Sequence, residues 1–359
     1  MDRLTPSSIA NLKKIVPRIK GKRIGVLGDL MLDRYLWGTA SRLSPESPVP
    51  VVEFEKQEQF LGGAGNVTAN LAALGLKVEA FGVVGAMKDG EDEAGGTLRR
   101  CLRDLEIGDR GVVADSSRVT TIKTRIIARH QQIVRLDQES RNSLGGEVED
   151  RIFRKFADSV KKLDGLILSD YDKGVITDSL SERVFTQCHR EKVPVFVSPK
   201  KPRLFAHRGA RVLTCNLSEA GKFVTYPLQD EKSIEEALSK LLSHFGCGAV
   251  VITRGSEGMS LLEEGAKKAQ YVPATSFEVT YERVGKMGIE HGATGRQVFD
   301  VTGAGDTVLS VLAAAVVAGA SVPDAAMLAN TAAGVVVGKL GTASVSPAEL
   351  MHALDELAP

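Results

Sequence analysis

A chain of 359 residues with 43% hydrophobic and 25% charged residues has ordinary globular composition and can bury a full core. Its 46 Lys plus Arg against 45 Asp plus Glu leave a net charge of +1. Bulk electrostatics therefore give no reason to expect nucleic acid or a membrane as partner, and small-molecule chemistry fits better.

The spacing predicts an amphipathic helix with a basic face over 7–20 and a buried strand over 22–27. Asp29 and Asp33 follow at the C-terminal edge of that strand, where ligands of open α/β sheets gather. They are placed to hydrogen-bond hydroxyl groups, with turn formation as the plainer alternative. Two short strands, 35–38 and 48–54, around a loop at 41–46 suggest a small β lid. Next, Gly62-Gly63-Ala64-Gly65-Asn66 opens a helix that continues to Gly75. The glycine pair lets a ligand approach the backbone, and Asn66 can both donate to and accept from a diol. A second strand is expected over 78–84 and a loop over 85–90. Two more strands, 121–128 and 133–136, would complete the lid. Lys123, Arg125, Arg129, His130 and Arg135 make this stretch basic, either as a solvated face or as cations over an acceptor site.

Four further apolar strands, 165–168, 193–197, 211–214 and 249–252, end in polar residues and are each expected to precede a helix. That pattern predicts an α/β fold with a doubly wound, mostly parallel sheet flanked by helices and one rim carrying the chemistry. Neither G-x-x-x-x-G-K-[ST] nor G-x-G-x-x-G occurs, which excludes a P-loop and weakens a dinucleotide reading. No repeat or low-complexity linker divides the chain, so one domain over 1–359 is expected, with lid strands inserted at about 35–56 and 119–138. Cys101, Cys188, Cys215 and Cys247 are scattered, with no metal-ligand spacing, which argues for a reducing compartment.

Residues 276–296 read as an insertion before the stretch Val298-Phe299-Asp300-Val301-Thr302-Gly303-Ala304-Gly305-Asp306-Thr307. Here an apolar extended segment enters a glycine-rich turn and then a strong helix former. The amides of Gly303, Ala304, Gly305 and Asp306 should point out of a helix N-terminus as an anion site. A carboxylate beside such a site suits a general base for phosphoryl transfer, and Asp306 is the candidate. The alternative is a glycine turn that only relieves strain. The apolar run from Val308 to Val317 is too short and Ala-rich to span a bilayer, and the first residues lack a signal-peptide pattern, so a soluble cytoplasmic protein is expected.

Asp300 to Thr307 resembles, almost letter for letter, the second signature of the ribokinase-like (PfkB) carbohydrate kinases. Gly62 to Gly75 resembles the first, G-G-x-x-N before an Ala-rich helix. Gly28–Tyr35, Ser44–Val51, Gln131–Asp137, Asn216–Glu219 and Gly334–Thr342 resemble the members of that family that act on D-glycero-β-D-manno-heptose 7-phosphate in lipopolysaccharide precursor synthesis. The resemblance runs from about residue 8 to 350 and implies a ribokinase-like fold, ATP and Mg²⁺, with a monovalent cation such as K⁺ left open. It implies Asp306 as base, Gly303, Ala304 and Gly305 as anion hole, and Asp29, Asp33, Gly62, Gly63 and Asn66 as sugar contacts. Arg129, Arg135 and Lys173 would bind the acceptor phosphate. Asn216, Ser218, Glu219, Thr253, Gly255 and Thr302 would form the nucleotide side, with Glu219 toward Mg²⁺.

In many bacteria such kinases are fused to a C-terminal nucleotidyltransferase domain. A chain ending at Pro359 leads to the expectation of the stand-alone form. Apolar lids of this kind often pair, so a homodimer is expected. Two departures stand out: Ser198-Pro199-Lys200 where the family has Asp-Pro-Lys, and Tyr171-Asp172-Lys173-Gly174 where it has Tyr-Gly-Lys-Gly. Competing readings are a related kinase for an unphosphorylated sugar or a hexose phosphate, and a sugar-phosphate-binding regulator without catalysis.

Overall fold

The structure, a computed structural model, describes residues 6–88, 90–128, 131–201, 208–275, 282–285, 288–291, 303–339 and 343–357. In chain order the first half holds α1 (Pro6–Ile19), β1 (Arg23–Gly28), β2 (Leu30–Leu43), β3 (Pro50–Gly63), α2 (Ala64–Ala73), β4 (Lys77–Met87), β5 (Gly90–Glu91), α3 (Glu93–Asp104), β6 (Gly108–Asp115), β7 (Thr121–Ala128), β8 (Gln131–Gln138) and α4 (Gly146–Ser159). Then come β9 (Gly165–Ser169), α5 (Asp178–Glu191), β10 (Val195–Ser198), β11 (Val212–Asn216), α6 (Leu217–Val224), α7 (Glu231–Phe245), β12 (Ala249–Thr253), β13 (Met259–Glu263) and β14 (Gln270–Val272). The last are β15 (Glu282–Gly285), β16 (Gly288–His291), α8 (Ala304–Val317), α9 (Val322–Val336) and α10 (Pro347–Glu356).

The main sheet runs β6-β4-β1-β9-β10-β11-β12 in parallel, with β13 and β14 added antiparallel at one edge. Its central strands are apolar on both faces because both faces are covered. Ile24 and Val26 join the core built with α1, α2, α3, α8, α9 and α10, whereas Leu27 joins the core built with α4, α5, α6 and α7. Ile167 against Leu166 and Leu168 repeats the alternation one strand over. Within α8, Val311, Leu312 and the three alanines Ala313 to Ala315 have no exposed surface. Their small side chains let this helix lie deep against the sheet, so its N-terminus comes out at the sheet's carboxyl rim. Among the described residues no helix is long and apolar enough to cross a membrane.

The lid is a separate four-stranded sheet, β3-β2-β7-β8, with β2 and β7 parallel. Its first two strands are longer than the sequence suggests. The expected pieces at 35–38 and 48–54 are parts of two 14-residue strands that pair from Leu30 opposite Gly63 to Leu43 opposite Pro50. The polar run Glu53 to Gln59 lacks apolar alternation, but ladder hydrogen bonds to β2 hold it extended. Likewise the loop expected over 85–90 is mostly strand, since β4 continues to Met87 and pairs with Gly90 and Glu91. The 249–252 strand leads into antiparallel β13 rather than a helix, because Gly255 and Gly258 take positive φ and turn the chain back. Of the 276–296 segment, the described part is the hairpin β15-β16. The expected strand at 298–302 lies outside the described residues.

Candidate active site

The loops after β1, β9, β10, β11 and β12 leave the same edge of the main sheet, and α8 begins beside them. Gly303, in the left-handed region at φ 82°, is the N-cap of α8 and makes no side-chain cap. The first-turn amides therefore face outward as a partial positive charge. Asp306 stands in this first turn. Its Oδ2 accepts from Asn66 Nδ2 at 2.8 Å, and its Oδ1 accepts from the Tyr171 hydroxyl. Burial pushes the carboxyl up to about 6, with Asp33 adding to the rise and the hydrogen bonds from Tyr171 and Asn66 and the charge of Lys200 opposing it. A carboxylate that ionises near neutrality is matched to proton abstraction at physiological pH.

Of the nucleotide-side candidates, Asn216, Glu219 and Thr253 share a cleft with that base. Asp170, Tyr171, Lys200, Asn216, Glu219, Thr253, Gly303, Gly305 and Asp306 are among its lining residues. Asn216 caps α6, accepting from the Glu219 amide at 2.8 Å, while Glu219 Oε2 accepts from the Asn216 amide at 3.0 Å. Glu219 Oε1 is paired with Lys200. Ser218 and Gly255 fall outside the residues lining the cleft. Thr302 lies outside the described residues.

On the sugar side, Asp33 projects from the lid strand β2, paired with Arg125, whose guanidinium also sits 5.2 Å over the Tyr35 ring. Gly62 packs against it: a Cβ there would meet Asp33 Oδ2 at 2.6 Å. Gly63, at φ 54°, would bring a Cβ within 2.7 Å of the Asp29 carbonyl oxygen. Both glycines thus let the lid strand close onto the site.

Three expectations change. Asp29 does not point at a ligand hydroxyl. Its carboxylate, 1% exposed, accepts from the backbone amides of Tyr171, Lys173 and Val175 at 2.7, 3.1 and 3.1 Å. Three buried donors outweigh a turn's need for a polar side chain, so Asp29 holds the loop after β9. Lys173 is not a free phosphate ligand: its Nζ lies 2.7 Å from Glu139 Oε2, because a buried ammonium needs a counterion. Arg135, half-exposed, pairs with Asp137 at the lid rim. Arg129 lies outside the described residues. Tyr171 and Lys200, which have no assigned role in the sequence, act on the base, Tyr171 by its hydrogen bond and Lys200 by its charge. Their signal is their place just past the ends of β9 and β10.

Among the described residues no group of three or more His, Cys, Asp or Glu side chains is arranged to hold a metal ion. The arrangement is a buried carboxylate at a helix N-terminus, with the lid on one side and the cleft on the other, a geometry suited to transfer of a phosphoryl group to an alcohol.

Comparisons with known proteins agree. The chain is 44% identical over 329 residues to the Bifunctional protein HldE of Geobacter sulfurreducens, covering 92% of this chain and 62% of that protein. It is 42% identical over 334 residues to the Desulfatibacillum aliphaticivorans protein of the same name, covering 93% and 63%. The chain thus spans less than two thirds of the length of these curated relatives. Among solved structures, the Arabidopsis thaliana ribokinase complexed with ribose and ATP superposes with a TM-score of 0.68 at 19% identity, covering 93% of this chain and 99% of that one. The Escherichia coli phosphofructokinase-2 in complex with substrates and products gives 0.71 at 15% identity, covering 94% and 99%. These likenesses make the fold ribokinase-like. Residues 22–349 match the pfkB family carbohydrate kinases, and with that match, an Asp306 held at an open helix start and a lid sheet over it, the chain belongs to the pfkB family of carbohydrate kinases.

Proposed function

We propose that the protein transfers the γ-phosphoryl group of ATP to the anomeric 1-hydroxyl of D-glycero-β-D-manno-heptose 7-phosphate, giving the 1,7-bisphosphate for lipopolysaccharide precursor synthesis in the cytoplasm. The observation that carries the kinase reading is Asp306, with Asn66 and Tyr171 on its two oxygens at the uncapped start of α8. The choice of acceptor is supported by the heptose-kinase motifs and by likeness to the HldE proteins.

In this reaction the acceptor O–H loses its proton to Asp306 while its oxygen forms a bond to the γ-phosphorus, and the bond to the β-phosphate oxygen breaks to release ADP. The amides of Gly303, Ala304, Gly305 and Asp306 stabilise the equatorial oxygens. Asp33, Asn66, Gly62 and Gly63 orient the sugar, and the lid excludes water that would otherwise hydrolyse ATP. The chemistry that Mg²⁺ bound with the nucleotide would supply is neutralisation of phosphate charge. Glu219 would hold the ion through Oε1 in exchange for Lys200, since Mg²⁺ takes one or two carboxylates together with phosphates and water rather than an all-protein cage. Asn216 and Thr253 flank the nucleotide. A second copy of the chain would cover the apolar outer face of the lid, giving a homodimer.

One observation favours a different acceptor. Lys123, Arg125, Arg135 and Lys173 each have a carboxylate partner, so a sugar without the 7-phosphate is the second reading. The test of the mechanism is ATP-dependent phosphorylation by Asp306→Asn. The variant should fold and bind sugar but lose on the order of 10²–10⁴ in kcat; wild-type turnover overturns the assignment.

A further inference from the structure

Asp306 is held from two sides. Asn66 belongs to α2, where Asn70 Nδ2 donates to the Asn66 carbonyl at 2.9 Å and to its Oδ1 at 3.3 Å, and Asn70 Oδ1 accepts from Thr307 Oγ1 at 3.0 Å. Tyr171 has no helix to frame it. It sits in the loop after β9, whose amides at 171, 173 and 175 all donate to Asp29. The far side of that loop is tied by Arg118 Nη1, which donates to the Lys173 carbonyl at 3.0 Å, and by the Lys173–Glu139 ion pair to the end of the lid. A surface turn needs no such anchoring. Its effect here is to fix one phenol hydroxyl against one carboxylate oxygen.

We propose that Tyr171 is the positioning residue for the general base: its hydroxyl donates to Asp306 Oδ1, fixes the carboxylate's orientation, and keeps it ionised for the acceptor's proton. The inference rests on the kinase reading above. Each carboxylate oxygen can accept twice, so Tyr171 and Asn66 leave room for the acceptor hydroxyl. The groups facing Asp306 are Asn66 from α2, Tyr171 from the loop after β9, Lys200 from beyond β10 and Asp33 from the lid. Glu219 of α6 faces Tyr171, and burial together with Asp306 drives the phenol well above its usual range, so the shared proton stays on Tyr171. Of these groups, Tyr171, Asn66 and Lys200 lower the Asp306 carboxyl, while Asp33 and burial raise it. Losing the phenol removes support for the ionised form, and Asp306 then keeps its proton to higher pH.

The test is kcat/KM against pH for the wild type, for Tyr171→Phe and for protein carrying 3-fluorotyrosine at position 171, a stronger hydrogen-bond donor. The wild-type acidic limb should fall near pH 6, because activity is lost as pH drops through the Asp306 value of about 6. In Tyr171→Phe the limb should move up by about half to one pH unit, with kcat at pH 7.5 down about tenfold and sugar KM changed by less than about twofold. The fluorinated protein should move the limb downward, a shift that loss of packing would not produce. Coincident acidic limbs in all three proteins overturn the inference. They would leave the kinase reading intact if Asp306→Asn is inactive, whereas an active Asp306→Asn removes both.

Discussion

Glu139 shows how a single side chain joins the lid to the catalytic rim. Three cations converge on it: Lys173 at 2.7 Å, Arg141 at 2.8 Å and Lys123 at 3.5 Å. Burial alone would push its carboxyl up, but the hydrogen bonds from Lys173 and Arg141 and the charges of Lys173 and Lys123 prevail and hold it down at about 2. A depressed carboxyl stabilises the fold above its unfolded value near 4.5 and loses that contribution as pH falls toward 2. Glu139→Gln should therefore cost about 1–2 kcal/mol at pH 7, less than the 3–5 of a wholly dry pair because water reaches the cluster. The difference from wild type should shrink as pH drops below 4.5, read by denaturant unfolding at several pH values; a pH-independent difference would contradict it. At this scale Asp306, Asn66 and the glycines are legible in the sequence, since each belongs to a local motif whose chemistry needs it. Tyr171 is not, because its role depends on Asp29 drawing a distant loop onto the start of α8.

The lid is the element whose extent the sequence conceals. Its strands have one face toward the site, with Asp33, Lys123 and Asp137 in register, and an opposite face that carries apolar side chains. Near the main sheet Leu32 and Ile122 are buried, but farther out Phe54, Val134 and Leu136 are 65, 49 and 66% exposed. A polar run such as Glu53 to Gln59 carries no periodic signal, so only pairing with β2 reveals it as strand. An apolar sheet face left open in this way matches a partner surface. Phe54→Asp combined with Leu136→Asp should shift the sedimenting species from dimer to monomer while leaving the main sheet's circular dichroism unchanged. A wild-type protein that sediments as a monomer at micromolar concentration would contradict the proposed dimer.

For the whole molecule, the regular succession of apolar strands with polar ends makes the sheet and its polar rim readable in the sequence. Strands buried on both faces must alternate between two cores, as Ile24, Val26 and Leu27 do, and everything chemical is forced to their ends. Less legible is the antiparallel edge after β12, where two glycines in positive φ redirect the chain. The same holds for the neutralisation of the lid cations, which depends on partners such as Asp33, 92 residues from Arg125. That neutralisation leaves the identity of the acceptor as the property to be tested first. The deciding measurement is coupled ADP release with Mg²⁺ATP and D-glycero-β-D-manno-heptose 7-phosphate, beside fructose 6-phosphate, ribose and fructose. The value of kcat/KM for the heptose phosphate should exceed the others by at least about 100-fold. Equal or faster turnover of any other sugar would contradict it.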